Sequence, residues 1–219
     1  ATAAVQVGKF NLLGGSWVQV NANLPTFSAT DFRIAGGSFL RAKSGTGTSL
    51  DPYMIADVYG LQGIGSSYTL RGKSYKLANT IDATGTSSWN NQLGTYRGFA
   101  PIGGGEASPF TGHFDGGGYT INGLTLDQSG GSYAGLFGYA SSGATIANVG
   151  LTGGSIKADA YVGGLVGFIQ SGSITNSYTT GNVTARHWYL DTYVGGLVGK
   201  MEVGSITNSY ATGSVTNTY

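Results

Sequence analysis

Two stretches of this 219-residue chain carry almost the same text, and this repetition constrains the fold more than any other feature. Residues 161–185 and 193–217 are identical at 18 of 25 positions, with Tyr161 of the first corresponding to Tyr193 of the second. A weaker copy in residues 133–156 precedes them, with Tyr133 matching Tyr161. Repeats at such a period predict a solenoid, in which each unit stacks on the next.

Each unit reads as short β-strands separated by glycines, and it is too short to bury its own apolar face. We therefore predict an all-β parallel β-helix with coils of about 28–32 residues and protruding loops. Glycines are expected to supply positive φ at the corners, Asn to form an amide ladder, and Tyr an aromatic stack about 4.8 Å apart. The repeat positions with these structural roles are Gly163, Gly164, Gly167, Asn176, Tyr178 and Gly181, then Gly195, Gly196, Gly199, Asn208, Tyr210 and Gly213, with Asn148 extending the ladder.

Composition excludes several other classes of protein. The chain has 40 Gly and only 10% charged residues but is 40% hydrophobic, which argues against both a mostly helical fold and disorder. Eleven basic residues against ten acidic ones give no excess for a nucleic-acid partner. The absence of Cys removes disulfides and thiolate sites. No apolar run is long enough for membrane insertion as a helix, and a propeller blade of ~40–45 residues is longer than these units.

The amino-terminal half repeats less clearly. We predict a single β-helical domain over residues 1–219, with less regular coils in 1–132 and the regular repeats in 133–219. The start lacks the features of a signal peptide, so we expect a processed chain or a fragment of a longer one. Strands are predicted around the Gly pairs within 5–20 and 32–41 and in 75–82 and 110–126, and a short helix is predicted at 57–64 with Asp57 as its N-cap.

Few residues suggest catalysis. The acidic residues are scattered, and residues 161–185 contain no charged side chain. Asp82 and Asp115 lie about one coil apart, so stacking could bring them together, although Asp115 begins a DGGG segment typical of a turn. His113 and His187 fit structural or surface roles, and no familiar catalytic motif is present. We expect no enzyme activity, no metal site and no cofactor.

Two segments interrupt the coil pattern and are candidates for binding. They are residues 86–98, which carry Trp89, Tyr96 and Arg97, and residues 186–192, which carry His187, Trp188 and Tyr189. Exposed aromatic rings beside amide and guanidinium groups suit sugars or a protein partner. The alternative is that Trp89 and Trp188 fold back and cover the coil surface.

The two units, written together as GGLVG…GSITNSY(T/A)TG(N/S)V, resemble the GLUG motif. The preceding FTGHFDGGGYTINGLTL is similar to the run that leads into GLUG repeats, and the segment beginning SFLRAKSGTG resembles the flank of the same architecture. Over about residues 38–217 the chain is similar to bacterial surface exoproteins of the filamentous-haemagglutinin type, which use two-partner secretion. The resemblance implies a right-handed β-helical shaft, a secreted or cell-surface location, and adhesion to cells or to a biofilm matrix.

We therefore expect a structural and adhesive segment whose partners are host-cell or matrix polysaccharide or protein. Because a solenoid leaves strand edges unpaired at its ends, adjacent coils of the same longer chain or end-to-end self-association are further expected contacts. Two alternatives stay open. One is a carbohydrate-active β-helix enzyme, a lyase or glycosidase, and the other is a non-catalytic module of a large secreted peptidase.

Overall fold

The computed structural model describes residues 3–186 and 192–218, and there the chain is all-β apart from short helical turns, with mostly parallel strands. The first part contains β1 (Val5–Leu12), β2 (Ser16–Val20), β3 (Phe27–Ile34), β4 (Ser38–Ala42), β5 (Tyr53–Ile55), α1 (Val58–Gly63) and α2 (Tyr68–Arg71). The middle part contains β6 (Ser74–Leu77), β7 (Ile81–Asp82), a 3₁₀ turn (Thr84–Ser88), β8 (Asn91–Gln92), β9 (Thr95–Tyr96), β10 (His113–Asp115), β11 (Thr120–Asn122) and β12 (Thr125–Gln128).

The repeats supply the remaining strands. These are β13 (Tyr133–Ala134), β14 (Phe137–Ala140), β15 (Ala144–Ala147), β16 (Gly150–Thr152), β17 (Ser155–Ala158), β18 (Tyr161–Gly163), β19 (Val166–Thr175), β20 (Tyr178–Thr179), β21 (Asn182–Arg186), β22 (Tyr193–Gly195), β23 (Val198–Thr207), β24 (Tyr210–Ala211) and β25 (Val215–Thr218). Each of the last four strands repeats the position of one strand in the unit before it.

Strands of successive repeats pair in parallel, in the register that the alignment of the units predicts. Tyr133 pairs with Tyr161, and Tyr161 pairs in turn with Tyr193. The same two offsets in residue number separate the paired residues of β15 and β19 and those of β19 and β23. We name the repeats by these pairings as coil A (133–160), coil B (161–192) and coil C (193–218).

Upstream of coil A the spacing between paired strands is uneven. Val5 pairs with Phe27, and Tyr53 pairs with Tyr75, so these coils are shorter than the repeats. Between β6 and β10 the coil is longer than any repeat, as the pairing of Tyr75 with Phe114 shows. The extra residues form the 3₁₀ turn and an antiparallel hairpin of β8 and β9, so the parallel order is kept while a protrusion is inserted.

Apolar side chains of successive coils fill one connected core. Ile146 of coil A and Ile174 of coil B are in register and buried, as are Ile156 and Val183. The amino-terminal end of this core is aromatic. There, edge-to-face and stacked contacts join Phe10, Trp17, Phe27, Phe32, Phe39, Tyr59 and Trp89. Large rings therefore fill much of the core of the irregular coils.

An asparagine turns one corner of each regular coil. Asn148, Asn176 and Asn208 have left-handed φ angles of 55°, 49° and 49°, a conformation that Asn adopts more readily than most residues. Asn176 Nδ2 donates to Asn148 Oδ1 at 3.1 Å, and Asn208 Nδ2 donates to Asn176 Oδ1 at 3.3 Å. Asn148 Nδ2 donates to Asp115 Oδ1 at 2.9 Å, so a carboxylate ends the row. The predicted amide ladder is confirmed, and it runs along the corner that the Asn residues form in successive coils.

The repeat glycines have a different role from the predicted one. The eight glycines at the repeat positions of coils B and C all lie outside the left-handed region. A Cβ on Gly163 would lie 2.1 Å from the carbonyl oxygen of Val166, and one on Gly167 would lie 2.7 Å from that of Gly138 in coil A. The prediction that these glycines supply positive φ is wrong, because Asn residues adopt the left-handed conformation at the corner. Glycine is required where backbones approach too closely for a side chain.

Tyrosines form two stacks along the coils. The rings of Tyr178 and Tyr210 lie 5.2 Å apart with 7° between their planes, which confirms the predicted stack. A second stack, which the sequence analysis did not assign, runs through Tyr133, Tyr161 and Tyr193 at centroid spacings of 5.0 and 5.3 Å. In-register coils therefore place identical rings over one another outside the core, as they place identical isoleucines within it.

The predictions for the amino-terminal half hold in part: residues 110–126 contain β10, β11 and the start of β12, whereas β5, β8 and β9 were not predicted. The strands on either side of the two Gly pairs are confirmed as β1 to β4, and the helix predicted at 57–64 is α1, where Asp57 Oδ1 accepts from Gly60 N at 2.9 Å. The strand predicted at 75–82 is instead split into β6 and β7, and α2, capped by the Ser67 hydroxyl, was missed. Both helices in the described part of the chain are too short to cross a membrane.

Replacing Asn176 by Ala should lower the free energy of unfolding by about 2–3 kcal/mol, because two ladder hydrogen bonds are lost and Ala must adopt a left-handed φ. Asn176→Gly removes the same amide but tolerates the backbone conformation, so it should cost about 1–2 kcal/mol. Gln170→Ala, at an exposed position of coil B, is the control and should change stability by less than about 0.5 kcal/mol. Urea denaturation measures all three, and an Asn176→Ala variant as stable as the control would contradict the role of the ladder.

Candidate functional site

The hairpin of β8 and β9 departs from the parallel order of the coils. Its turn residues Leu93 and Gly94 have φ angles of 52° and 88°, as a type I′ turn requires. Leu93 is fully exposed and Tyr96 is half-exposed. Tyr96 is therefore available for contact with a ligand, as the sequence analysis expected.

Trp89, at the base of this hairpin, lies in the core with 1% of its surface exposed. Its ring stacks on Tyr59 at 5.2 Å and contacts Phe32 at 5.0 Å. The prediction that Trp89 is a binding residue is wrong, because the aromatic cluster of the first coils receives its side chain. The alternative, that this tryptophan folds back onto the coil, is what the structure shows.

Hydrogen bonds fix the base of the hairpin to the first coils. Asn91 N donates to Asp31 Oδ1 at 3.3 Å, and Asn90 Nδ2 donates to the carbonyl oxygen of Gly98 at 2.6 Å. Asp31 also pairs with Lys9 across 3.4 Å. The orientation of the hairpin is thus set by β3 rather than by the loop alone.

A groove of about 360 Å³ lies between β3, the hairpin and the loop that follows β12. Its polar lining consists of Arg33, Asn90, Gln92, Arg97, Gln128 and Ser129. Arg97 Nη1 donates to the carbonyl oxygen of Ser129 at 2.6 Å, which holds the guanidinium against the groove wall. The volume is in the range of small-ligand sites. Arg97, a predicted binding residue, is therefore placed in a site of suitable size.

Two carboxylates hold the loop that forms one wall of the groove. Asp127 accepts hydrogen bonds from the backbone N–H and the hydroxyl of Ser129, and Asp159 accepts from Gly130 N at 2.8 Å. Burial alone would raise the pKa of Asp127, but the bonds from Ser129 and the nearby cationic side chains hold that pKa below its usual value. Asp127 therefore stays ionised, and continues to accept these bonds, to lower pH than a free aspartate.

A second recess of about 150 Å³ lies next to the groove, with Ile34, Ala35 and Ala100 common to the lining of both. Gln62 lines this recess, and its side-chain amide donates to the carbonyl oxygen of Ala100 at 2.9 Å and accepts from the backbone N–H of Ala100 at 2.8 Å. Ser66 also belongs to the lining. The two recesses are therefore neighbours that share one wall.

The chemistry of this site is cationic and polar. Arg33 and Arg97 line the groove, carboxylates are absent from the lining of either recess, and the ion pairs found in the described part of the chain involve neither arginine. Guanidinium groups bind carboxylate or sulfate groups in a bidentate manner, and amide side chains pair with hydroxyl groups. A general acid and base at opposed positions are not among the lining groups.

The two aspartates that the sequence analysis considered as a pair do not meet. Asp82 is in register with Asn122, whereas Asp115 is in register with Lys76, because the coil that contains the hairpin is longer than the repeat units. The two side chains therefore do not form a carboxylate pair. Asp115 instead accepts from Gly117 N at 2.8 Å, which is the turn role that its DGGG segment indicated, and pairs with Lys76 across 3.1 Å.

The other predicted candidates are placed only in part. His113 Nδ1 lies 2.7 Å from Thr145 Oγ1 of coil A, a surface contact between neighbouring strands. His187, Trp188 and Tyr189 lie outside the described residues. Over residues 3–186 and 192–218, no three His, Asp or Glu side chains gather as metal ligands.

Sequence reasoning missed two cationic residues. Lys200 lies over the Tyr193 ring at 4.7 Å, and it occupies in coil C the position of Phe168 in coil B. That difference between two near-identical units was the signal. Arg33 of the groove gave no signal, because it lies on a strand far from Arg97 in sequence.

The GLUG motif matches residues 158–184 and 191–216. These segments lie almost wholly within coils B and C, so the resemblance is confirmed at the level of the motif. Halomucin of Haloquadratum walsbyi is 36% identical over 185 residues, which are 81% of this chain and 2% of halomucin. A protein of Evansella cellulosilytica named as a Gly-rich membrane protein is 35% identical over 126 residues, which are 56% of this chain and 14% of that protein. The chain thus spans a small part of the length of both relatives.

A solved structure shares the fold. A Bacteroides ovatus protein described as an immunoglobulin A1 protease aligns with a TM-score of 0.53 and 18% identity, over 80% of this chain and 70% of that chain. At this identity the likeness shows the fold alone. The names of the two sequence relatives are consistent with an extracellular or surface location. The filamentous-haemagglutinin attribution stays a prediction.

Replacing Trp89 by Ala should lower the free energy of unfolding by about 3–5 kcal/mol, because a buried indole leaves a cavity beneath the hairpin. Tyr96→Ala, on the same hairpin but half-exposed, is the matched control and should cost less than about 0.5 kcal/mol. Equilibrium unfolding in urea compares them. Equal stability of the two variants would show that Trp89 does not anchor the hairpin.

Proposed function

We propose that this chain is a right-handed β-helical segment of a large secreted surface protein, and that it attaches that protein to extracellular polysaccharide. The observation that carries the proposal is the in-register stacking of coils A, B and C, in which core, Asn ladder and Tyr stack repeat together. Such a stack forms a rigid shaft, and the groove beside Arg97 is fixed to it.

The right-handed sense is supported by a general rule of parallel sheets. A strand that returns through a crossover to a parallel neighbour in the same sheet does so with a right-handed connection in about 98% of cases. Every coil from A to C makes such returns, in four separate sheets.

Membership of a large surface protein is supported by the relatives. One relative is named as a membrane protein and the other as halomucin, and the aligned segment is only 2% of halomucin and 14% of the membrane protein. A role as one module among many is consistent with these proportions. Export by two-partner secretion belongs to the same proposal and rests on the sequence resemblance alone.

Adhesion is supported by the position of the polar site. The groove opens beside a hairpin whose Tyr96 is half-exposed, and its lining combines guanidinium and amide groups. Amphipathic rings beside polar groups suit sugar faces and hydroxyl groups. The proposed partner is a polysaccharide of a host cell or of a biofilm matrix, with a protein surface as the other expected partner.

We propose that the segment has no catalytic activity. A lyase or glycosidase needs converging acidic or basic groups, and the groove offers arginines and amides. The likeness to a protein described as a protease favours one second candidate, a non-catalytic module of a secreted peptidase. In both cases the chain acts as a scaffold.

The exposed face of coil C supports a further contact. Ile206 and Val215 are 44% and 46% exposed, whereas Ile174 and Val183, their partners in coil B, are buried. Unpaired strand edges beside apolar side chains invite further pairing. We propose that another coil of the same kind covers this face, supplied by the same polypeptide or by a second copy end to end.

The chain should bind at least one polysaccharide in a panel of alginate, pectate, heparin, dextran and cellulose without releasing sugar products. Tyr96→Ala should weaken binding about 3- to 10-fold, since a stacked ring contributes about 0.5–1.5 kcal/mol. Tyr210→Ala removes a tyrosine of similar exposure from coil C and should leave affinity unchanged. Affinity electrophoresis and a reducing-sugar assay test these points. Absence of binding to the whole panel, or release of products, would contradict the proposed function.

A further inference from the structure

The groove beside the hairpin concentrates positive charge on a chain that is nearly neutral. The formal net charge of the 219 residues is +1, yet the groove carries two arginines and no carboxylate among its described lining residues. Arg33 comes from β3 and Arg97 from the end of the hairpin, so folding brings together two cations that lie far apart in sequence. Bringing like charges together in one recess favours an anionic partner.

Within residues 3–186 and 192–218, neither guanidinium belongs to an ion pair. Arg97 uses Nη1 to bond the carbonyl oxygen of Ser129 at 2.6 Å, and a guanidinium has five N–H donors in all. Arg33 takes part in none of the ion pairs of the described residues. Asp31 lies close to Arg33 on β3, but it is engaged by Lys9 at 3.4 Å and by Asn91 N at 3.3 Å.

Nearby carboxylates are committed elsewhere as well. Asp127 accepts two bonds from Ser129, and Asp159 accepts from Gly130 N. The loop gives its N–H groups and the Ser129 hydroxyl to these two carboxylates, and neither carboxylate is among the residues that line the groove.

The remaining lining groups fit hydroxyl-rich ligands. Gln92 and Gln128 add amide donors and acceptors to a lining that also holds the two guanidinium groups. The second recess shares Ile34, Ala35 and Ala100 with the groove, so further units of a polymer could occupy it beside the arginines. A polymer that carries both hydroxyl and acidic groups would satisfy both parts of the lining.

We infer that the groove binds an acidic polysaccharide, with Arg33 and Arg97 each holding a carboxylate or sulfate group of the polymer. This inference rests on the proposed function and names its ligand class. Guanidinium groups form paired, charge-assisted hydrogen bonds with either anion. Neutral polysaccharides lack the groups that these arginines require.

Isothermal titration of the whole chain tests the inference. Alginate and pectate supply carboxylates, heparin supplies sulfates together with carboxylates, and dextran is the neutral polymer. We expect alginate or heparin to bind at least about tenfold more tightly than dextran and to weaken as NaCl is raised. Arg33→Gln and Arg97→Gln should each weaken acidic binding about tenfold or more.

Three controls make the result specific. Lys43→Gln removes one positive charge at an exposed position outside the groove lining and should leave affinity unchanged. Arg97→Lys keeps the charge but loses the paired geometry, so it should fall between Arg97→Gln and the native chain. Circular dichroism and the melting temperature show whether each variant is folded. If the Arg97 variants unfold, Arg33→Gln alone tests the inference, because it leaves the contact between Arg97 and the loop in place.

The outcomes separate the two proposals. Equal affinity for dextran and alginate, unchanged binding by the Arg33→Gln variant, or tighter binding of a single-stranded DNA oligonucleotide would overturn this inference. Binding of dextran alone would overturn it too while leaving the adhesive proposal standing. Failure to bind any polysaccharide would overturn both.

Discussion

Parallel pairing of each coil with the next, in fixed register, is the constraint on which the rest of the structure depends. A single coil leaves its strands unpaired and its apolar side chains exposed, so stability arises only when a second coil lies against it. The row of Asn residues links the register of the coils to the conformation of the backbone at one corner. Asn176 adopts the left-handed corner and also bonds the amides of the coils before and after it. A one-residue slip would move the side chain off the corner and turn core residues outward.

The same register explains the glycine content. Where coils A, B and C approach most closely, a Cβ on Gly167 or Gly199 would meet the backbone of the adjacent coil. The abundant glycines are thus a consequence of tight backbone stacking and do not indicate a flexible chain. The site depends on this rigid frame, because the hairpin and the loop after β12 are insertions between strands whose positions the coils already determine.

Prediction from sequence succeeded where the units repeat and failed where distant segments meet. The pairs Tyr133 with Tyr161 and Tyr161 with Tyr193 followed from alignment of the units, because equivalent text in a solenoid occupies equivalent places. Asp82 and Asp115 lie about one repeat apart in sequence but are not in register, since a coil length taken from the repeats does not apply to the longer coil upstream.

The sequence left two roles for Trp89, ligand binding or folding back onto the coil. The partners that bury it are Phe32 and Tyr59, which no local pattern connects to it. The groove could not be predicted for the same reason, because Arg33 and Arg97 belong to elements that are adjacent only after folding. Tyr96 and Arg97 were within reach of sequence reasoning, since both lie in a segment that interrupts the coil pattern.

Cysteine cross-linking tests the register most directly, because the chain has no cysteine of its own. Ser173 of β19 is the partner of Ser205 on β23, whereas Thr207 lies further along that strand on the same face. Paired Cα atoms in adjacent strands lie about 4.8 Å apart, and a two-residue shift separates them by about 8 Å, beyond the reach of a disulfide. Under mild oxidation, the Ser173→Cys, Ser205→Cys protein should cross-link within the monomer and the Ser173→Cys, Thr207→Cys protein should not. Equal cross-linking of both, or preference for the second, would contradict the in-register stack.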